Sequence, residues 1–188
     1  MAKQLLDDDL WELIEPILPK PKLRRRRYPG RKPIGHRQAL NGILFVLKTG
    51  IPCGELPEEM GCRCGMTCWN YLHACQRAGV WKRLHEFLLA ELQEADRIDW
   101  SWAAVDSTHA RALGGAEKTG KNPTDRRKLG SKHHIVTDAQ GIPSALTITG
   151  SNVHDVKELP HVVDAIPNVR GKVGHPRRWP DVLFADRA

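Results

Sequence analysis

No apolar run in these 188 residues approaches the roughly 20 that cross a bilayer, so a membrane-spanning helix is not expected. The N-terminus, MAKQLLDDDLWELIEPILP, lacks the unbroken apolar stretch of a secretory leader; it is acidic and interrupted by polar residues, and cytoplasmic residence is the expectation. The five cysteines, Cys53, Cys62, Cys64, Cys68 and Cys75, lack the paired C-x2-C knuckles of structural zinc sites, although His73 lies among them. Their odd number without a leader argues against a disulfide framework, and their apolar neighbours point to buried thiols.

Acidic residues are missing from one stretch in particular. KPKLRRRRYPGRK, residues 20–32, holds eight basic residues and no acid. Two further basic stretches follow, RRKLGSKHH over 126–134 and RGKVGHPRR over 170–178. With a net charge of +7 and a pI near 9.3, three such stretches point to a polyanion, of which nucleic acid is the commonest. No amphipathic helix accompanies the basic runs, which weakens the alternative of an anionic membrane.

What is present divides into two periodicities. From Asp7 to about Ala95 the pattern is helical. Leu10, Leu13, Ile14 and Ile17 recur at i, i+3, i+4, i+7 behind an acidic start, and Pro16 shortens that helix. Ala39, Leu40, Ile43, Leu44 and Leu47 mark a second helix stopped by Gly50 and Pro52. A third is predicted from an N-cap at Thr67 to Gly79, and a fourth from Val80 to about Ala95. Short helices joined by turns resemble a helix-turn-helix module, though GIPCGELPEEMGCRCGM between the second and third is long for that turn.

From Trp100 the period becomes that of strands. WSWAAVDST, SKHHIVTDAQG and PSALTITG read as three strands, the last two joined through Ala139-Gln140-Gly141. SNVHDVKELPHVVDAI reads as a helix, with Asn152 as N-cap and Asp155 in a capping-box position. DVLFADRA reads as a fourth strand, buried. The class is α+β: a helical domain over 1–97, with a basic linker at 20–33, then a mixed βββαβ sheet over 98–188.

Asp106 and Asp186 each follow an apolar strand. If those strands are parallel neighbours, both carboxylates reach one edge, where hard cations such as Mg2+ find oxygen ligands. The alternatives are local: Asp106 turning the chain through Ser107, and Asp186 pairing with Arg187. Of the basic groups, Arg24, Arg25, Arg26, Arg27, Arg31, Lys32, Lys128 and Lys132 are the candidates for DNA phosphates, together with His134.

Here the residues carry a resemblance. LNGILFVLKTGIPCGELPEEMG, GMTCWNYL and AGVWKRLHEFLL resemble the N-terminal region of bacterial insertion-sequence transposases of the IS-five type. VDSTHARA, LGSKHHIVTDAQGIPSALTITGSNVHDV and DVLFADRA resemble the catalytic region of the same DDE superfamily, collinearly over nearly the whole chain. The tryptophan usual after GIP is Cys53 here. The resemblance implies a ribonuclease-H-like domain that cuts and joins DNA with two Mg2+ or Mn2+ ions. It makes Asp106 and Asp186 the first two catalytic, metal-binding acids, and His154 and Asp155 secondary active-site candidates. The implied partners are DNA, as terminal inverted repeats and target, and further copies of the chain assembled on it, in the cytoplasm at the nucleoid. The third acid of the family has no match, since only Arg187 and Ala188 follow Asp186. The expectation is of an incomplete catalytic domain, completed by a downstream segment made by frameshift or separately. The alternative is a DNA-binding fragment that represses transposition without cutting.

Overall fold

A computed structural model describes residues 5–20, 26–28, 30, 32–112, 114–115 and 117–186. The chain divides into two compact units, Met1–His85 and Glu86–Ala188. No helix among the described residues is long and apolar enough to cross a membrane.

In the first unit, α1 spans Asp8–Ile14, and the Asp7 carboxylate caps it by accepting the Leu10 N–H at 2.8 Å. Pro16 does not extend it; the chain tightens into a 3-10 turn at Glu15–Ile17. α2, His36–Thr49, ends on Gly50, whose φ of 72° lets its N–H close on the Val46 carbonyl. α3 spans Gly65–Arg77, and α4, Val80–Glu94, begins in this unit and ends in the second. Thr67 is therefore not the cap of α3. The helix begins two residues earlier behind Cys64, whose thiol stands 3.3 Å from the Thr67 hydroxyl.

Two apolar clusters hold this unit. Leu6, Ile14 and Leu40 pack with Trp11, Leu44 and Trp81. Ile43, Leu56, Cys62 and Cys68 pack with Phe45, Tyr71 and Leu72. The second cluster explains two of the cysteines. A side chain at Gly42 would meet the Cys62 and Cys68 sulfurs at 2.6 and 2.7 Å, so the helix backbone itself seals the thiols in. Burial, reinforced by the Cys62 thiol alongside, pushes the Cys68 thiol up to about 12, well clear of thiolate chemistry. Gly65 answers a tighter constraint: its Cβ would stand 1.4 Å from the Cys53 carbonyl oxygen.

The second unit is a mixed sheet with one covering helix. Its strands are β1 (Ala103–Arg111), β2 (Gly120–Lys121), β3 (Leu129–Asp138), β4 (Pro143–Gly150) and β5 (Leu183–Ala185). β3 is central, antiparallel to β1 on one side and to β4 on the other, with the short β2 paired to its N-terminal end. β1 pairs with β5 in parallel. α5, Asp155–Asp164, covers one face through Val162, with Ile166 just past its end, on Ala103, Val136 and Ala145. This is α+β architecture, helices followed by a mixed sheet.

In the second unit four details depart from the sequence reading. β2 carries too few residues to show a period and was not anticipated. β1 starts at Ala103 rather than Trp100 and runs past Thr108 to Arg111, because His109, Ala110 and Arg111 continue the ladder with β3. β5 is exposed along its whole length, since its one described strand neighbour is β1 and Phe184 is 58% accessible. Asn152 does not cap α5: the helix starts at Asp155 after His154, which makes no side-chain cap bond, and Asp155 faces Lys132 instead.

Candidate active site

The site begins with the parallel register of β1 and β5. Ala103, Ala104 and Val105 lie opposite Leu183, Phe184 and Ala185. Val105 is followed on β1 by Asp106, and Ala185, the last residue of β5, is followed by Asp186. Neighbouring strands stand about 4.8 Å apart, so two carboxylates leave adjacent backbones side by side. The Asp106 side chain is exposed and accepts the Ser107 N–H at 2.7 Å.

Both aspartates line a cavity of ≈ 250 Å³, with Ser107, His134 and Asp155 as its other polar walls. Val105, Val156, Leu159, Val162 and Ala185 supply the apolar part. β3 delivers His134 because its alternate residues, Gly130, Lys132, His134, Val136 and Asp138, all turn to the buried side. In most half-buried strands that row would be aliphatic.

Asp155 organises this polar row from the first turn of α5. Lys132 Nζ reaches one carboxylate oxygen at 2.7 Å, and the lysine side chain is only 10% exposed. His134 Nδ1 stands 3.3 Å from the other oxygen, near enough for charge attraction but not aligned as a hydrogen bond. Burial opposes ionisation of Asp155, yet hydrogen bonds from Lys132 and Ser107, with the Lys132 and His134 charges, hold its carboxyl below the usual carboxylate range. Burial lowers the His134 imidazole, a shift that Asp155 and Glu158 only partly oppose. Its Nε2 is 2.9 Å from the Thr149 hydroxyl, which in turn donates to the Gly150 carbonyl at 3.3 Å.

The structure thus brings together Asp106, Asp186, Asp155 and His134. His154 is exposed at the start of α5 and is not among the described lining residues. Lys132 is buried behind Asp155, whereas Lys128 is exposed in the loop before β3. In the basic linker Arg26, Arg27 and Lys32 are exposed, with the Arg27 guanidinium 5.8 Å from the centre of the Tyr28 ring. Arg24, Arg25 and Arg31 lie outside the described residues. The sequence names Ser107 only as the residue through which Asp106 turns the chain, a bond to its backbone N–H that is present, and does not single out Thr149. The signal for Ser107 was its place directly after an aspartate at a cavity edge; Thr149 gave none, being one of two threonines in an ordinary β pattern.

The donor chemistry suits a hard divalent cation in kind, since two carboxylates emerge together. Although Asp106, Asp186, Asp155 and His134 line one cavity, among the described residues no three of the His, Cys, Asp or Glu side chains are disposed to hold a metal ion together, so Asp106 and Asp186 are what these residues offer it.

Residues 6–85 match a family model described as a putative transposase of the IS4/5 family, and residues 101–188 match a transposase DDE domain. Over 123 residues the chain is 59% identical to an uncharacterized 16.2 kDa protein of insertion element IS402 from Burkholderia cepacia, covering 65% of this chain and 84% of that protein. It is also 59% identical over 73 residues to a putative transposase for insertion sequence element IS402 from the same organism, covering 39% of this chain and 35% of that protein. No solved structure matches the chain.

Proposed function

Because this chain belongs to the IS4/5 family of insertion-element transposases, we propose that its sheet unit contributes the first two acids of a DNA cleavage and strand-transfer site and that its helical unit grips DNA. The observation that supports the catalytic half is the parallel pairing of Val105 with Ala185, each followed directly by an aspartate. Asp106 and Asp186 hold a divalent cation, Mg2+ or Mn2+, by carboxylate oxygens. The chemistry such an ion supplies is activation of a water or 3′-hydroxyl and neutralisation of the leaving oxygen of a phosphodiester.

The remaining work falls to the chain's own groups. Asp155, anchored by Lys132 and Ser107, fixes the start of α5 against β1 beside Asp106. It acts as a positioning residue. His134, beside Thr149 and Asp155, lines the cavity near the two acids. Val156, Leu159 and Val162 supply the apolar side of the cavity from α5. In the helical unit, the helix-turn-helix-like arrangement and the exposed Arg26, Arg27 and Lys32 engage the ends of the element and its target, with Lys128 as a phosphate contact from the sheet unit. Several copies assemble on the DNA.

Calorimetric titration of Mn2+ into the purified chain tests the metal half. Binding that weakens at least tenfold in both Asp106→Asn and Asp186→Asn is expected. Unchanged binding in either variant refutes the site. Retained preference for the element's ends in a chain that takes up no metal supports instead a DNA-binding role without cleavage.

A further inference from the structure

α3 differs from α1, α2 and α4 in what it shows to solvent. Met66, Trp69, Asn70, His73, Gln76 and Arg77 are all exposed, at spacings of three and four residues that put them on one continuous stripe. The opposite side is buried through Gly65, Cys68 and Cys75, so the stripe is held on a packed element rather than a loose one. Trp69 and His73, one turn apart, meet edge-to-face with ring centres 4.4 Å apart, which fixes both side chains.

The chemistry of the stripe is specific. Asn, Gln, His and Arg can hydrogen-bond base edges, and Met66 and Trp69 offer apolar surface of the kind that meets a thymine methyl group. No residue of α3 is acidic. By contrast α1 exposes Asp8, Asp9 and Glu12, and α4 exposes Glu86, Glu91 and Glu94, each of which a phosphate backbone repels. α2 is free of acid but buries Ala39 to Ile43 and shows solvent mainly its last turn. Arg63, exposed just before α3, adds positive charge at the entry.

We propose that α3 is the sequence-reading helix of this protein, lying in the major groove of duplex DNA with the stripe from Met66 to Arg77 against the base edges. Its 13 residues make a rod of about 20 Å, and the groove, roughly 12 Å wide, admits one α-helix. The basic linker then supplies affinity without sequence information, and α3 supplies discrimination. This assignment rests on the DNA-binding reading above, and the two fail in different ways.

The full chain is incubated with a random-sequence duplex pool, the bound fraction is sequenced, and the preferred duplex and a scrambled control are titrated over a range of salt. Asn70→Ala and Arg77→Ala are each expected to lower the preferred-to-scrambled affinity ratio by about 5- to 150-fold, relaxing the preference at one or two base pairs. Asn70→Ala leaves the salt dependence unchanged. Joint replacement of Arg26 and Arg27 by Ala weakens both duplexes alike and flattens the salt dependence by about 0.9 for each phosphate no longer neutralised. Because the α3 residues are exposed, helix content by circular dichroism should match the parent. If the parent shows no DNA binding, the DNA-binding reading falls and this assignment with it. If the parent discriminates and the α3 variants discriminate equally well, this assignment alone is overturned. The same holds if they change only the oligomeric state, in which case the stripe joins copies of the chain.

Discussion

Removing the carboxylate of Asp155 should destabilise the sheet unit out of proportion to one surface ion pair. The partner left behind, Lys132, has a side chain only 10% exposed, and Asp155 itself is 27% exposed. Breaking a fully buried pair from one side costs about 3–5 kcal/mol, because the surviving charge loses its partner but not its burial. The partial exposure of Asp155 lets water reach the Lys132 ammonium, so the expected loss for Asp155→Leu is about 2–3 kcal/mol. Removing both charges is a different perturbation. Lys132→Met combined with Asp155→Leu leaves no orphan and should recover most of the loss, to within about 1 kcal/mol of the parent. Urea denaturation of the parent, the two single variants and the double variant completes the cycle. A single variant within about 0.5 kcal/mol of the parent, or a double variant no better than the worse single, would refute the picture of a buried charge held by one carboxylate.

Three further outcomes follow from the same geometry. The folded His134 titrates below its ordinary value, so the unfolded chain takes up that proton first; its contribution to stability is complete above about pH 6.5 and is lost as pH falls toward the lowered value. His134 is faced by Asp155, Glu158, Lys132 and His109, and His134→Gln should flatten that portion of a plot of urea midpoint against pH while leaving the steeper loss at carboxylate pH. Gly65→Ala should cost about 3 kcal/mol or more in a thermal melt, since the new Cβ stands 1.4 Å from the Cys53 carbonyl oxygen and only backbone movement relieves it. Gly42→Ala should cost about 1–3 kcal/mol by overpacking against two sulfurs, and Cys68→Ala in the same chain should restore part of it; a melt showing no rescue would contradict the contact.

Much of the helical unit could be read in advance because its boundaries are set by local chemistry. Asp7 caps, Pro16 tightens and Gly50 closes, and each acts on neighbours within one turn. The start of α3 escaped because Thr67 offers a stronger cap signal than Cys64, whereas the helix is begun by Gly65 pressing on the Cys53 backbone, a contact no local pattern records. In the sheet, strand positions followed from composition, but what the strands do to individual side chains did not. Lys132 sits in a run of basic residues that reads as solvated, and only the alternation of β3 turns it inward. Asp155 competed with a capping role for Asn152, and the choice depended on a lysine 23 positions away. Parallel pairing of β1 with β5 was expressible as a condition on the sequence, yet it is long-range pairing that meets it.

The inward row of β3 has a consequence for alignment. Since strand side chains alternate, a slip of one residue would carry Lys132, His134 and Asp138 to the opposite face and put Ser131, His133, Ile135 and Thr137 beneath α5. An aliphatic row would tolerate that error at modest cost, one apolar residue replacing another. This row would not, because each member is tied to a different element: Lys132 to the start of α5, His134 to Thr149 of β4, and Asp138 to the Asp99 N–H and the turn at Gln140 and Ile142. The buried polar groups therefore act as a key that admits one alignment of β3, and the alignment of β1, with Asp106 on it, is inherited from that key.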